Sequence, residues 1–214
     1  MVDIRPIALI VDIVRSRELP DRQEAQARIE ETFRTVEGVV AFARPLWPTV
    51  GDEFQAVLPH LSDALTATTM ARLLLPEEID CRFGLGAGEI HDVGKGVTGP
   101  IQDGSAWWCA RDAIDEAHRR EKAINPYLRS WFWSEDRSAE DGVVNSYLLM
   151  RDHLISAMKP RERRIAAAGL LGKPQAEIAE AEGITQSAVS QSLRRSGGAA
   201  LLAGQHAMRE PGRS

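Results

Sequence analysis

The run PIALIVDIV at residues 6–14 is β-branched and almost unbroken, the pattern of a strand buried on both faces. One acid, Asp12, interrupts it. The segment PDRQEAQARIEETFRTVE (20–37) then spaces Ala25, Ile29, Phe33 and Val36 at helical intervals, and Gly38 predicts its end. VVAFARPLWPTV (39–50) and EFQAVLP (53–59) flank a Gly-Asp turn and predict a pair of strands. Pro45 and Pro48 predict that the first of them is irregular or lies at an edge. Residues 60–75 predict a second amphipathic helix, and DCRFGLGAGEIHDVG (80–94) a single glycine-punctuated strand. Glycines inside a strand mark a bulge or a close backbone approach. A third helix over 104–122, a last strand at LRSWFWS (128–134) and a helix over 139–157 complete this part. Strands and helices in that order predict an α+β unit with a mixed sheet.

Beyond Lys159-Pro160 the pattern changes, and a proline there opens a helix more readily than it continues one. PRERRIAAAGLLGKPQAEIAEAEGITQSAVSQSLRRS (160–196) predicts a helix holding Ile165, Leu170 and Leu171, then a helix, a turn at Gly183 and a second helix capped by Thr185. Ile178, Ala179, Ile184 and Val189 fall on the inner face. Thr185, Gln186, Ser187, Ser190, Gln191, Arg194 and Arg195 fall on the outer one, where polar side chains can meet base edges and phosphates. A helical hairpin used for protein contacts is the other reading. The chain thus divides into 1–137, a connecting helix at 138–158, an all-α unit at 159–208 with a final helix over 198–208, and a frayed tail at 209–214.

Charge sharpens this division. The 214-residue chain carries a net −5, yet the part from Lys159 onward is +4 and the remainder −9. The basic module therefore tolerates a polyanion better than the acidic one does. Cys81 and Cys109 show neither CxxC nor zinc spacing and predict buried, reduced thiols, and the five histidines form no ligand spacing. No signal-peptide layout and no run of about 18–20 apolar residues is present, so a soluble, cytoplasmic protein without a membrane segment is expected.

The chemistry centres on Asp12 and on TVGDEFQAV (49–57). A carboxylate in an apolar strand is costly to bury without a partner or a metal. If the first strand lies beside the hairpin, Asp12 and Asp52 can share one cation, and two oxygen ligands with open positions suit Mg²⁺ or Mn²⁺. Arg15, Ser16 and Arg17 follow at a turn leading to a helix N-terminus, a setting suited to phosphate. Alternatively, Asp12 caps the next turn and Asp52 fills a turn position. Glu53 is either a third ligand or a solvent-facing acid, with solvent favoured, and Asp103 is an N-cap or helix-dipole partner. Of Trp107 and Trp108, adjacent on a helix, one belongs to the core and the other to an interface.

Strand order and the GDEF tip resemble the palm-type (ferredoxin-like) fold of class III nucleotidyl cyclases and GGDEF diguanylate cyclases. ALIVDIVRSR, TVGDEFQAV, RFGLGAGEI and GSAWWCAR resemble successive cyclase motifs, and DIVRSR, GDEFQ and DGSAWWCARDAI together resemble the SatD family. The resemblance implies Asp12 and Asp52, with Ile13, as metal residues, Arg111 as a phosphate-binding and candidate catalytic residue, and a C-terminal DNA-binding helix-turn-helix. It also implies a purine nucleotide, ATP or GTP. Two positions depart from the enzymes: Val50 stands where GGDEF enzymes need a glycine, and Trp107 stands where class III cyclases place an asparagine before Arg111. The expected function is a DNA-binding regulator, homodimeric on double-stranded DNA, whose palm senses a metal–nucleotide. An active cyclase or related nucleotidyltransferase, and a palm that only dimerises, are the alternatives.

Overall fold

The computed structural model of the chain describes residues 5–49, 51–96 and 99–209. Val50 and the tail beyond residue 209 lie outside the described residues. Strands β1 (Ile7–Ile13), β2 (Arg44–Pro48), β3 (Glu53–Leu58), β4 (Cys81–Ala87) and β7 (Ser130–Ser134) form one mixed sheet in the order β2-β3-β1-β4-β7. β1 is central and antiparallel to both β3 and β4, while β7 runs parallel to β4. β2 is the edge strand, with a register shift between Arg44 and Trp47, as its prolines predict.

Alternate residues of β1 serve two cores. Ile7, Leu9, Val11 and Ile13 pack with helices α1 (Arg22–Glu37) and α2 (Leu61–Leu74) through Ile29, Phe33 and Met70. Ala8 and Ile10 face helix α3 (Ser105–Ala123) through Ala106, Ala110 and Ile114. The glycines of β4 set how closely α3 can approach. A Cβ on Gly84 would stand 2.2 Å from the Ala110 carbonyl oxygen, and one on Gly86 2.1 Å from that of Ala106. The helix therefore rests backbone against backbone on the sheet, which accounts for the glycines in RFGLGAG.

The stretch 80–94 is not one strand. β4 ends at Ala87, and β5 (His91–Gly96) pairs with β6 (Gly99–Asp103) as a separate two-stranded sheet. Gly88 sits hard against Ser105 at the start of α3, so the chain turns away from the main sheet there. Asp103 is not the N-cap of α3; that position is Gly104, and the Asp103 carboxylate accepts from the Gly104 amide and from Trp108 Nε1. Trp107 is buried at 8% exposure and Trp108 stands 63% exposed.

Helix α4 (Ala139–Ala157) covers the free edge of β7 with side chains that imitate a neighbouring strand. Asp141 accepts from the Ser134 amide, Asn145 exchanges both bonds with Phe132, and Asp152 accepts from the Arg129 and Ser130 amides. A row of edge donors that would otherwise invite another strand is satisfied in this way.

Helices α5 (Pro160–Leu170), α6 (Gln175–Glu182), α7 (Gln186–Ser196) and α8 (Gly198–Arg209) follow. Their core of Ile165, Ile178, Ala179, Val189 and Leu201 is continuous with Leu73 of α2 and Ile155 of α4. Pro160 is the first residue of α5, and the Glu162 carboxylate accepts from the Lys159 amide. Among the described residues no helix is long and apolar enough to cross a membrane.

Candidate metal and phosphate site, and the C-terminal helices

Register brings the candidate residues to one end of the sheet. Asp12 stands opposite Glu53 on β3 and opposite Arg82 on β4, so all three share the face covered by α3. Asp12 Oδ2 accepts from Arg82 Nη1 at 2.9 Å. The partner that a half-buried carboxylate requires is therefore this guanidinium, and among the described residues no turn N–H is bonded to Asp12. Burial still raises the Asp12 pKa; Arg82 pulls it down, and the nearby charges of Asp52 and Glu53 push it up again. Arg82 is itself only 7% exposed, and its Nε and Nη2 meet Glu121 Oε2 at 2.7 Å. Glu53 is not a free solvent-facing acid, because Arg111 holds both its oxygens at 2.7–2.8 Å.

On the other side of β1, a pocket of about 260 Å³ opens between the strand end, the turn and the start of α1. Ile13, Ser16, Arg17, Gly51 and Asp52 line it together with Arg22 and Gln26. Arg15 enters the left-handed region at φ 54°, uncommon for a residue with a Cβ, and turns the chain into a short 3₁₀ turn over Ser16–Glu18. That turn buries Ser16 and leaves Arg15 and Arg17 exposed. Arg22 Nε donates to the Ser16 carbonyl at 3.1 Å, and Gln26 Nε2 donates to the Gly51 carbonyl at 3.1 Å. These bonds fix the 3₁₀ turn and the Gly51-Asp52 tip relative to each other. Gly51 adopts φ 88°, the conformation that the tip requires.

The structure thus gathers Ile13, Ser16, Arg17 and Asp52 around one pocket and places Asp12 beside it with its carboxylate turned toward Arg82. Arg111 lies on the α3 side with Glu53, and Arg15, exposed at the backbone turn, is not among the residues that line the pocket. Among the described residues no cluster of three or more His, Cys, Asp or Glu could hold a metal. By type, carboxylates such as Asp12 and Asp52 are donors for a hard divalent cation that completes its shell with water and phosphate oxygens. Arg22, Gln26, Arg82 and Glu121 went unrecognised in the sequence. Arg82 alone carried a signal there, a charge in an apolar strand like that of Asp12.

At the C-terminal end, α6 ends on Gly183 at φ 65°, and Thr185 caps α7 by accepting from the Ala188 amide at 3.2 Å. Ile178, Ala179 and Val189 are buried and Ile184 packs against them. Thr185, Gln186, Ser187, Gln191, Arg194 and Arg195 are exposed along α7, and Ser190 is half-buried. The Thr185 hydroxyl is engaged with Ser187 Oγ at 2.9 Å, so these two residues act first on the local turn. The four helices are seated on α2 and α4. Arg163 donates to the Arg72 and Leu75 carbonyls at the end of α2, and Gln205 Nε2 donates to the Tyr147 hydroxyl at 2.7 Å.

The molecule is a mixed-sheet α+β protein whose acidic strand-and-turn site stands at one end and whose helical hairpin is carried by α2 and α4. The SatD family model matches residues 6–209, and the chain belongs to the SatD family. No curated protein matches the sequence.

Proposed function

We propose that this SatD-family chain is a cytoplasmic, homodimeric DNA-binding regulator. Its palm-like N-terminal unit binds a purine nucleotide through Mg²⁺ or Mn²⁺, and its helix-turn-helix meets double-stranded DNA. The observation that carries the reading is the pocket that gathers Ser16, Arg17 and Asp52 beside Asp12 in a chain whose α7 exposes Gln191, Arg194 and Arg195. Oxygen ligands hold the cation, and the 3₁₀ turn with Arg17 takes the phosphates. The β2-β3-β1-β4 order with a Gly-Asp tip supports the palm assignment.

A sensor is preferred to an active cyclase on a specific ground. Arg111, the candidate for stabilising charge at the reacting phosphate, is paired with Glu53 of the same chain, and Trp107 is packed in the core against Trp47. Turnover needs positioned groups free for the transition state. Calorimetric titration of ATP and GTP with Mn²⁺ tests the reading. Binding that is lost in Asp52→Ala is expected. No binding by either nucleotide, or binding indifferent to Asp52→Ala, contradicts it, and release of a cyclic product would move the assignment to the enzyme class.

A further inference from the structure

Arg82 lies between the candidate cation site and the rest of the molecule. Its Nη1 bonds Asp12, and its Nε and Nη2 bond one oxygen of Glu121. The other Glu121 oxygen holds Arg129 Nη1 at 3.2 Å. Arg129 in turn gives Nε to Asp80 at 2.5 Å and its backbone N–H to Asp152 at 2.7 Å. Asp152 Oδ1 holds Arg72 Nη1 at 2.6 Å, and the Arg72 carbonyl is where Arg163 of α5 docks. The links run without a gap from the end of β1 to the first C-terminal helix, and most of their groups are sheltered from water, where ionic bonds are least screened.

We propose that Arg82 is an internal counter-cation for Asp12 which a divalent cation displaces, and that the chain Asp12–Arg82–Glu121–Arg129 carries the displacement to the seam on which the C-terminal helices sit. The proposal rests on the reading of Asp12 and Asp52 as a cation site. Arg82 is a positioning residue here: it touches no ligand and acts through Asp12 and Glu121. When a cation takes the Asp12 carboxylate, it brings positive charge toward the guanidinium, and Arg82 keeps Glu121 as its remaining partner. Glu121 is then drawn toward Arg82 and away from Arg129. The Arg129 backbone amide, bonded to Asp152, loosens together with the α2–α5 seam. Two arrangements of one bonded chain, one for each state of Asp12, form the switching element.

Calorimetry with Mn²⁺ and hydrogen exchange on the full chain test this. Removing the competing charge in Arg82→Gln is expected to tighten Mn²⁺ on the order of tenfold, while Arg82→Lys keeps the wild-type affinity. In the wild type, Mn²⁺ is expected to speed exchange at the Arg129 and Ser130 amides and at the start of α5 by about threefold or more. Glu121→Gln should still bind Mn²⁺ yet lose that response. Unchanged or weaker Mn²⁺ binding in Arg82→Gln overturns the proposal alone, as does an intact exchange response in Glu121→Gln. Failure of Mn²⁺ to bind the wild-type chain overturns both this proposal and the site reading.

Discussion

Replacing Asp152 by alanine removes the acceptor on which the buried guanidinium groups of Arg72 and Arg151 converge. Asp152 and Arg151 are 0% and 1% exposed, and the Asp152 carboxylate accepts from Arg72, from Arg151 and from the Arg129 and Ser130 amides. Arg151 continues the cluster to Thr68 and Ser130. Truncation leaves two guanidinium groups with a deficit of negative charge and two amides at the β7 edge without acceptors. Breaking a buried pair from one side costs about 3–5 kcal/mol, and each buried amide left without a partner costs about 1–3 kcal/mol more. Domains are stable by only about 5–15 kcal/mol, so Asp152→Ala should be at or past the edge of folding, whereas Asp152→Asn, which keeps an acceptor oxygen for the amides, should fold with an intermediate loss. Urea denaturation followed by fluorescence of the tryptophans reads both.

The acid limb gives an independent check on the same residue. Burial works to raise the Asp152 pKa, but Arg151, Arg72 and the Arg129 amide outweigh it and hold the group below its ordinary 3.8. A folded-state pKa below the unfolded one means stability that is fully present above the unfolded pKa and is lost as pH falls through the folded value. Wild type should therefore weaken below about pH 4 by a component that Asp152→Asn lacks. An Asp152→Ala protein within about 1 kcal/mol of wild type, with an unchanged acid limb, would show that the buried cluster does not hold the β7 edge in this way.

Three further outcomes follow from the geometry. Gly86→Ala places a methyl group 2.1 Å from the Ala106 carbonyl, so α3 must lift from β4; a loss of about 1–3 kcal/mol, or roughly 2–4 °C of Tm for each kcal/mol, is expected by calorimetry. Asp12→Asn should change stability by no more than about 1 kcal/mol, because burial already raises that carboxylate's pKa and Glu121 remains for Arg82, yet it should abolish Mn²⁺ binding in titration. Arg194→Ala and Arg195→Ala, both exposed on α7, should leave Tm unchanged and weaken binding to duplex DNA, with the salt dependence of log K falling by about one for each phosphate that the variant no longer neutralises.

What the sequence disclosed depended on whether a pattern was local. The PIALIVDIV run, the helical spacing of Ala25, Ile29, Phe33 and Val36, and the Gly183–Thr185 turn each carry their own periodicity or cap, and the structure has strand, helix and capped turn there. The β5–β6 hairpin escaped because its residues His91 to Lys95 are exposed and show no apolar alternation, and its glycines read as continuing β4. The α4 residues Asp141, Asn145 and Asp152 look like the polar stripe of a solvated helix; only the unpaired edge of β7 gives them a task. At the candidate site, Asp12 and Asp52 stood out by type and setting. Arg82 shares the signal of a charge in an apolar strand, but its partners, like those of Glu121 and Gln26, could not be read, because the bonds join residues dozens of positions apart, Arg82 with Glu121 and Gln26 with Gly51 among them.

If a metal–nucleotide at the β1–β3 end biases DNA binding by the C-terminal helices, the affinity of the full chain for DNA must depend on that ligand. The quantity to measure is its affinity for a duplex that the protein selects from a random pool, at low salt, with and without saturating Mn²⁺ and the nucleotide that binds. A shift of about fivefold or more is predicted, and it should disappear in Asp12→Ala. Equal affinity in both conditions, with nucleotide demonstrably bound, would contradict the coupling of the two sites.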